Sequence, residues 1–278
     1  KRLHDLESLS GTRVVVLANL EPAELFGVGV QMMREHIEPS ARVHYVYEQA
    51  GVAPNVVPDH AQLWIVVRDL DRARVEALSE WVRQIAEGAA TATQTRAEVD
   101  VFYGTYDLLP NQPLAMHLYR HLSAVPIEWT AAEQDFARAC QRAMNVPEAG
   151  LAARPLPFLP YLSAGGSTDV GDVSHQVPVG VFGWPTLPLG VSLHTWAVTA
   201  CGGTSIGDKA SLNTASILAA AGFDLMTDAA LRGSVKDDFR RRRGDRPFLS
   251  GVPAARRQPL GLPAFMTRAG DDEIIRGM

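Results

Sequence analysis

The chain has 278 residues, 46% of them hydrophobic and 21% charged, a balance that excludes a disordered, fibrous or membrane-embedded polypeptide and predicts one or two globular domains. A formal net charge of -5 supplies no overall positive field for nucleic acid or anionic lipid and leaves acidic or neutral small molecules as substrates. Cys140 and Cys201 lie far apart in sequence and in no metal-ligand spacing, so neither a disulfide framework nor a cysteine zinc site is expected, and a reducing cytoplasm is the expected location.

No leader of the secretory kind stands out among the mixed charged and polar residues of the first eleven positions. Pro22 opens a predicted amphipathic helix over 22–36, with Leu25, Val28, Met32 and Met33 at helical spacing, which ends at Glu38 before Pro39. Val43, Tyr45 and Tyr47 alternate with Arg42, His44 and Val46, and Leu63, Ile65 and Val67 alternate with Gln62, Trp64 and Val66, predicting two half-buried strands. Asp71 caps a helix with Val75, Leu78, Val82, Ile85 and Ala89 on one face, and a further strand runs over 98–103. Alternating strands of this kind predict an antiparallel sheet with helices on one face and the other face wet or covered by a partner. The expected organisation is an α+β module over 20–125, followed by an α/β segment over 126–278.

Within that second segment Thr130 and Glu133 form a capping-box pattern, and 145–160 reads as a long connection leading to a glycine-rich stretch over 164–171. The uncharged run from Val177 to Thr199 is about long enough to cross a bilayer. Its three prolines and three glycines instead predict short buried strands and turns. A long helix starting at Ser205 carries Leu212, Ala215 and Ala219. Another starts at Asp228, carries Leu231, Val235 and Phe239, and stops at Gly244. The tail after Gly251 has no periodicity.

Four residues are candidates for chemistry. His44, on a strand leading into the loop that holds Asn55, places an imidazole and a carboxamide close together, both able to hydrogen-bond a carbonyl oxygen. The alternative is an Asx-type turn at Asn55 and a solvated sheet face at His44. Arg68 shares its face with Trp64 and Val66 and suits a substrate carboxylate, against an ordinary ion pair with Asp69 or Asp71. His194 leaves an apolar stretch and suits a zinc ion, against a satisfied core histidine. The Arg240 to Arg243 run, preceded by Asp237 and Asp238 and without interleaved aromatics, reads as a solvated helix end.

Taken together, HYVYEQAGVAPNVVPD from His44 to Asp59, AEGAA from Ala86 to Ala90, GSTDVGDVS from Gly166 to Ser174 and HTWAVTACGGTSIGDK from His194 to Lys209 resemble the p-aminobenzoyl-glutamate hydrolase B family of aminoacylase and carboxypeptidase-like zinc metallopeptidases. The resemblance implies a dimerising lid inserted into a catalytic domain with a central sheet and two zinc ions. It implies hydrolysis of an amide such as p-aminobenzoyl-glutamate or another N-acyl amino acid by zinc-activated water. In that scheme the 20–125 module is the lid and mediates a homodimer. His44 polarises the scissile carbonyl in the partner's site, Asn55 assists it, Arg68 holds a substrate carboxylate and His194 is a metal ligand.

The family's other metal ligands and its Glu-Glu pair precede the lid, where this chain has about twenty residues. It contains no Glu-Glu dipeptide, and no closely spaced histidine pair is read as a replacement. Asp208 and Ala210 stand where the family has histidine and glycine. The resulting expectation is an incomplete portion of the enzyme, inactive alone. Two alternatives are a noncatalytic dimerisation or ligand-binding remnant and one component of a split enzyme.

Overall fold

The computed structural model describes residues 20–158, 166–245 and 247–252, and the backbone of 8–17. The carboxy-terminal tail beyond Val252 lies outside the described residues. The chain divides into two compact units, one formed mainly by residues up to Leu108 together with 166–172 and 247–252, the other by 109–158 and 173–245. The break falls earlier than position 125 because the helix over 112–124 packs on helices of the second unit.

In the first unit the order is β1 (Ser8–Leu17), α1 (Glu21–Met33), β2 (Arg42–Gln49), β3 (His60–Asp69), α2 (Arg72–Ala92) and β4 (Arg96–Thr105). The strands pair antiparallel in the order β2-β3-β1-β4, so the βαββαβ chain has ferredoxin-like topology. Strand β1 is absent from the sequence-based expectation, although it occupies the centre of the sheet. Alternation decides the faces elsewhere: Val43 of β2 and Ala61, Leu63, Ile65 and Val67 of β3 are buried against Phe26, Val30 and Met33 of α1 and Val75, Val82 and Ala86 of α2. Asp71 caps α2, its side chain accepting from the Arg74 amide at 3.0 Å. Both helices cover one face, as the strand pattern predicts. The other face carries exposed His44, Val46 and Trp64.

The second unit contains α3 (Gln112–Ala124), α4 (Ala131–Ala143), α6 (Trp196–Gly202), α7 (Ser205–Thr227) and α8 (Ala229–Arg243), with the one-turn α5 (Val170–Ser174) straddling the division. Asn111 caps α3, accepting from the Leu114 amide while its own NH₂ donates to Val235 O at 2.9 Å. The Thr130–Glu133 capping box of α4 forms in both directions. Cys140 and Cys201 meet in the core beside Ala137, Leu151, Ala197 and Ile206, both as free thiols. Burial, reinforced by neighbouring Cys140, pushes the Cys201 thiol up to about 11.

The buried strands expected between Val177 and Thr199 are not there: the run is irregular up to the start of α6. Pro178, Pro185 and Pro188 remove backbone donors, and among its described residues this unit offers no strand to pair with. Side chains stabilise the irregular backbone instead. Buried Gln141 donates to Leu189 O at 2.7 Å and accepts from the Gly150 amide at 2.8 Å.

Candidate functional site

His44 lies on β2, an edge strand, and points away from the helices. Its cross-strand partner is Val66, and Arg42 sits opposite Arg68, so His44 and Arg68 are diagonal neighbours on the open face. The guanidinium of Arg42 donates to Pro39 O and Ala41 O. Asp69 points to the opposite face, where it accepts from Ser40 and the Leu70 amide, and Asp71 caps α2 and pairs with Arg74. A half-buried Arg68 beside an exposed imidazole makes a strand edge able to present one hydrogen-bonding ring and one guanidinium to the same anionic or carbonyl-bearing molecule.

Asn55 is not part of that edge. His44 lines a shallow cavity of about 280 Å³ with Arg34, Ile37 and Glu38, at the carboxy-terminal end of α1. Asn55 lines one of about 570 Å³ with Leu20, Glu21 and the 50–58 loop, at the amino-terminal end of the same helix. A helix of 13 residues separates the two by roughly 20 Å. The sequence expectation of a neighbouring imidazole and carboxamide within one chain is therefore corrected: the intervening strand and loop run along α1 and carry Asn55 away from His44.

His194 is exposed, on the turn that precedes α6, with a φ of 63°. A left-handed conformation is unfavourable for a residue with a Cβ and is often found where a side chain is held for a purpose. Leu193 and Trp196 beside it are also exposed. Among the described residues no group of three or more His, Cys, Asp or Glu ligand atoms includes His194, so this turn alone does not fit a zinc site.

The glycine-rich block performs packing work. Asp172 Oδ1 accepts from the Tyr106 amide at 2.7 Å, and the Gly171 backbone approaches Tyr106 so closely that a Cβ there would stand 2.0 Å from its carbonyl oxygen. The Arg240 to Arg243 run is a helix end, as expected: Arg241 and Arg242 pair with buried Asp238, and Arg243 donates to His175 O.

One cluster escaped the sequence reading. His117 and His121, one turn apart on α3, converge with Asp224 of α7. His121 Nε2 lies 2.8 Å from Asp224 Oδ2, His117 Nε2 3.2 Å from the same oxygen, and the two Nε2 atoms are 3.3 Å apart. The readable signal was the i, i+4 histidine spacing in HLYRH, which places both rings on one helix face. It corrects the expectation that the chain holds no close histidine pair. The distant Asp224 had no local signal.

The chain is similar to several known proteins. No family model matches the chain. It is 30% identical over 265 residues to a p-aminobenzoyl-glutamate hydrolase subunit from Escherichia coli, covering 84% of this chain and 54% of that protein. It is 23% identical to the mouse Xaa-Arg dipeptidase over 222 residues, 80% of this chain and 46% of the dipeptidase. The chain thus spans about half the length of the curated relatives it matches. A separate similarity of 82% identity over only 28 residues links it to methionine–tRNA ligase of Natronomonas pharaonis, 10% of this chain and 4% of the ligase. Among solved structures, the Bacillus subtilis YXEP protein, described as a dinuclear metal binding peptidase from the M20 family, aligns with a TM-score of 0.44 at 17% identity over 72% of this chain and 49% of its own.

Proposed function

Since the chain is a relative of a p-aminobenzoyl-glutamate hydrolase subunit along most of its length, we propose that it is the lid and carboxy-terminal catalytic segment of a metal-dependent amidohydrolase. The substrate class is p-aminobenzoyl-glutamate or another N-acyl amino acid, and the lid joins two copies. The single observation that carries the reading is 30% identity along 84% of the chain.

His44 suits the assigned task because it is exposed: it projects from an edge strand into solvent, as a residue serving a neighbouring copy must. Its ring donates a hydrogen bond to the amide carbonyl oxygen where negative charge develops during attack. Arg68, diagonal to it, pairs with the carboxylate of the amino acid part. Asn55, at the other end of α1, acts from a different direction. A zinc ion, when bound in the complete enzyme, supplies an activated water. His194 would be one of its ligands, but the described residues of this chain do not complete that site, and the ion belongs to the assembly with the rest of the catalytic domain.

A second reading, that the remaining half is a separate polypeptide, is favoured by the exposed apolar surface of the second unit, where Leu193, Trp196, Leu212, Phe223 and Met226 face solvent. Hydrolysis of p-aminobenzoyl-glutamate by the chain alone, and by the chain coexpressed with the amino-terminal half of the related hydrolase, tests both readings. The expected result is turnover only in the coexpressed pair, reduced about 10²- to 10³-fold by His44→Ala. Turnover by the chain alone, insensitive to His44→Ala and His194→Ala, would overturn the assignment.

A further inference from the structure

We propose that His117, His121 and Asp224 form a binding site for a divalent transition ion of the zinc class, separate from the turn that carries His194, and that the ion clamps α3 to α7. The chemistry of the donor set is the first argument. Two imidazole nitrogens and one carboxylate oxygen converge on one locus, a combination suited to Zn²⁺ and Co²⁺ and poorly suited to Ca²⁺ or Mg²⁺, which take oxygen shells.

Spacing is the second argument. With bonds of roughly 2.0 to 2.1 Å to nitrogen and oxygen, a tetrahedral zinc ion separates its ligand atoms by about 3.3 to 3.4 Å. The separations here are 3.3 Å between the two Nε2 atoms, 3.2 Å from His117 to the carboxylate oxygen and 2.8 Å from His121 to it. Small outward movements of three side chains reach the tetrahedral edge. The rings stand at 82° with centroids 4.8 Å apart, so they are turned edge to face and do not stack, and each directs its Nε2 toward Asp224.

Position is the third. The side chains are 13%, 25% and 38% exposed for His117, His121 and Asp224, so an ion can enter from solvent and keep a water as fourth ligand. Asp224 lies in the last turn of α7, where the helix dipole favours a cation. Leu114, Leu118 and Leu122 already anchor α3 in the core, so its histidine-bearing side is held in place before any ion arrives. The two helices come from segments about a hundred residues apart, and coordination across them cross-links the second unit.

The test uses the full chain without a histidine tag, stripped with chelator, desalted and titrated with Zn²⁺ by calorimetry and with Co²⁺ by visible absorption. The expected result is about one ion per chain with a tetrahedral Co²⁺ spectrum. His121→Gln and Asp224→Asn should each weaken binding tenfold or more, and His194→Ala should leave it unchanged. Variants that lose their fold are bypassed by ¹⁵N spectra of the wild-type chain, in which the ring nitrogens of two histidines should shift on Zn²⁺ addition. No stoichiometric binding, an affinity indifferent to both His117→Gln and His121→Gln, or a shift confined to the His194 ring would overturn the proposal.

Discussion

Glu133 shows how one carboxylate can hold a cap and an interhelix contact at once. Its Oε2 accepts from the Thr130 amide at 2.7 Å and from Lys209 Nζ at 2.8 Å, and its Oε1 accepts from Ser205 Oγ at 2.7 Å. Burial alone would push this carboxyl up, but the Lys209 ammonium, the Ser205 hydroxyl and Thr130 together hold it down at about 2. The folded value lies below the ordinary 4.5, so the stabilisation is fully present above about pH 4.5 and is lost as pH falls toward 2. The shift corresponds to a ceiling of about 3 kcal/mol, reduced by screening because Lys209 is 36% exposed. Glu133→Gln should therefore lower stability at pH 7 by about 1 to 3 kcal/mol in urea denaturation, with the difference from wild type shrinking as pH falls below 4. Equal midpoints at pH 7 would show that the network adds nothing. The Thr130–Glu133 spacing was legible in the sequence because a capping box is local. Ser205 and Lys209 were not legible as partners, since nothing within one helical turn announces a contact more than seventy residues away.

At the scale of elements, periodicity and caps gave α1, α2, α4, α7 and α8 and the strands β2, β3 and β4. They failed where tertiary context decided. In β1, the short run Val14 to Leu17 follows polar residues and a glycine and carries no clear alternation, yet its backbone pairs with β3 and β4 and closes the ferredoxin-like order. The Val177–Thr199 run failed in the opposite direction, since apolar content suggested strands where proline, and the lack of a pairing neighbour among the described residues, left loops. The glycine-rich block illustrates a different limit: its composition suits a ligand loop, but its geometry is set by contact with Tyr106. Gly171→Ala would place a methyl group 2.0 Å from a backbone oxygen that cannot rotate away. It should cost about 1 to 3 kcal/mol, read as a lower denaturation midpoint. An unchanged midpoint would mean that α5 moves aside freely and that Asp172 does not fix it.

For the whole molecule, the informative feature is a long helix whose apolar stripe faces outward. Leu212, Phe223 and Met226 of α7 follow helical spacing along one side and are 71%, 64% and 79% exposed, while only Ile206, Ile217 and Ala221 are buried. Covering three such side chains is worth on the order of 1.5 to 3 kcal/mol each, so a folded protein rarely leaves them to water. Among the described residues no single helix is long and apolar enough to cross a membrane, and α7 and α8 meet at 98°. On the proposed function, the occupant is an amino-terminal half like that of the hydrolase relative, of which this chain matches 54%. The chain alone should then self-associate and bind a hydrophobic dye, and a Leu212→Gln, Phe223→Gln, Met226→Gln triple variant should reduce both while keeping the helical circular dichroism signal. Coexpression with the amino-terminal half of the hydrolase should suppress dye binding in the unmodified chain, and the triple variant should fail to pair with that half. A triple variant that pairs normally would leave the α7 stripe unconnected with pairing to that half and with catalysis.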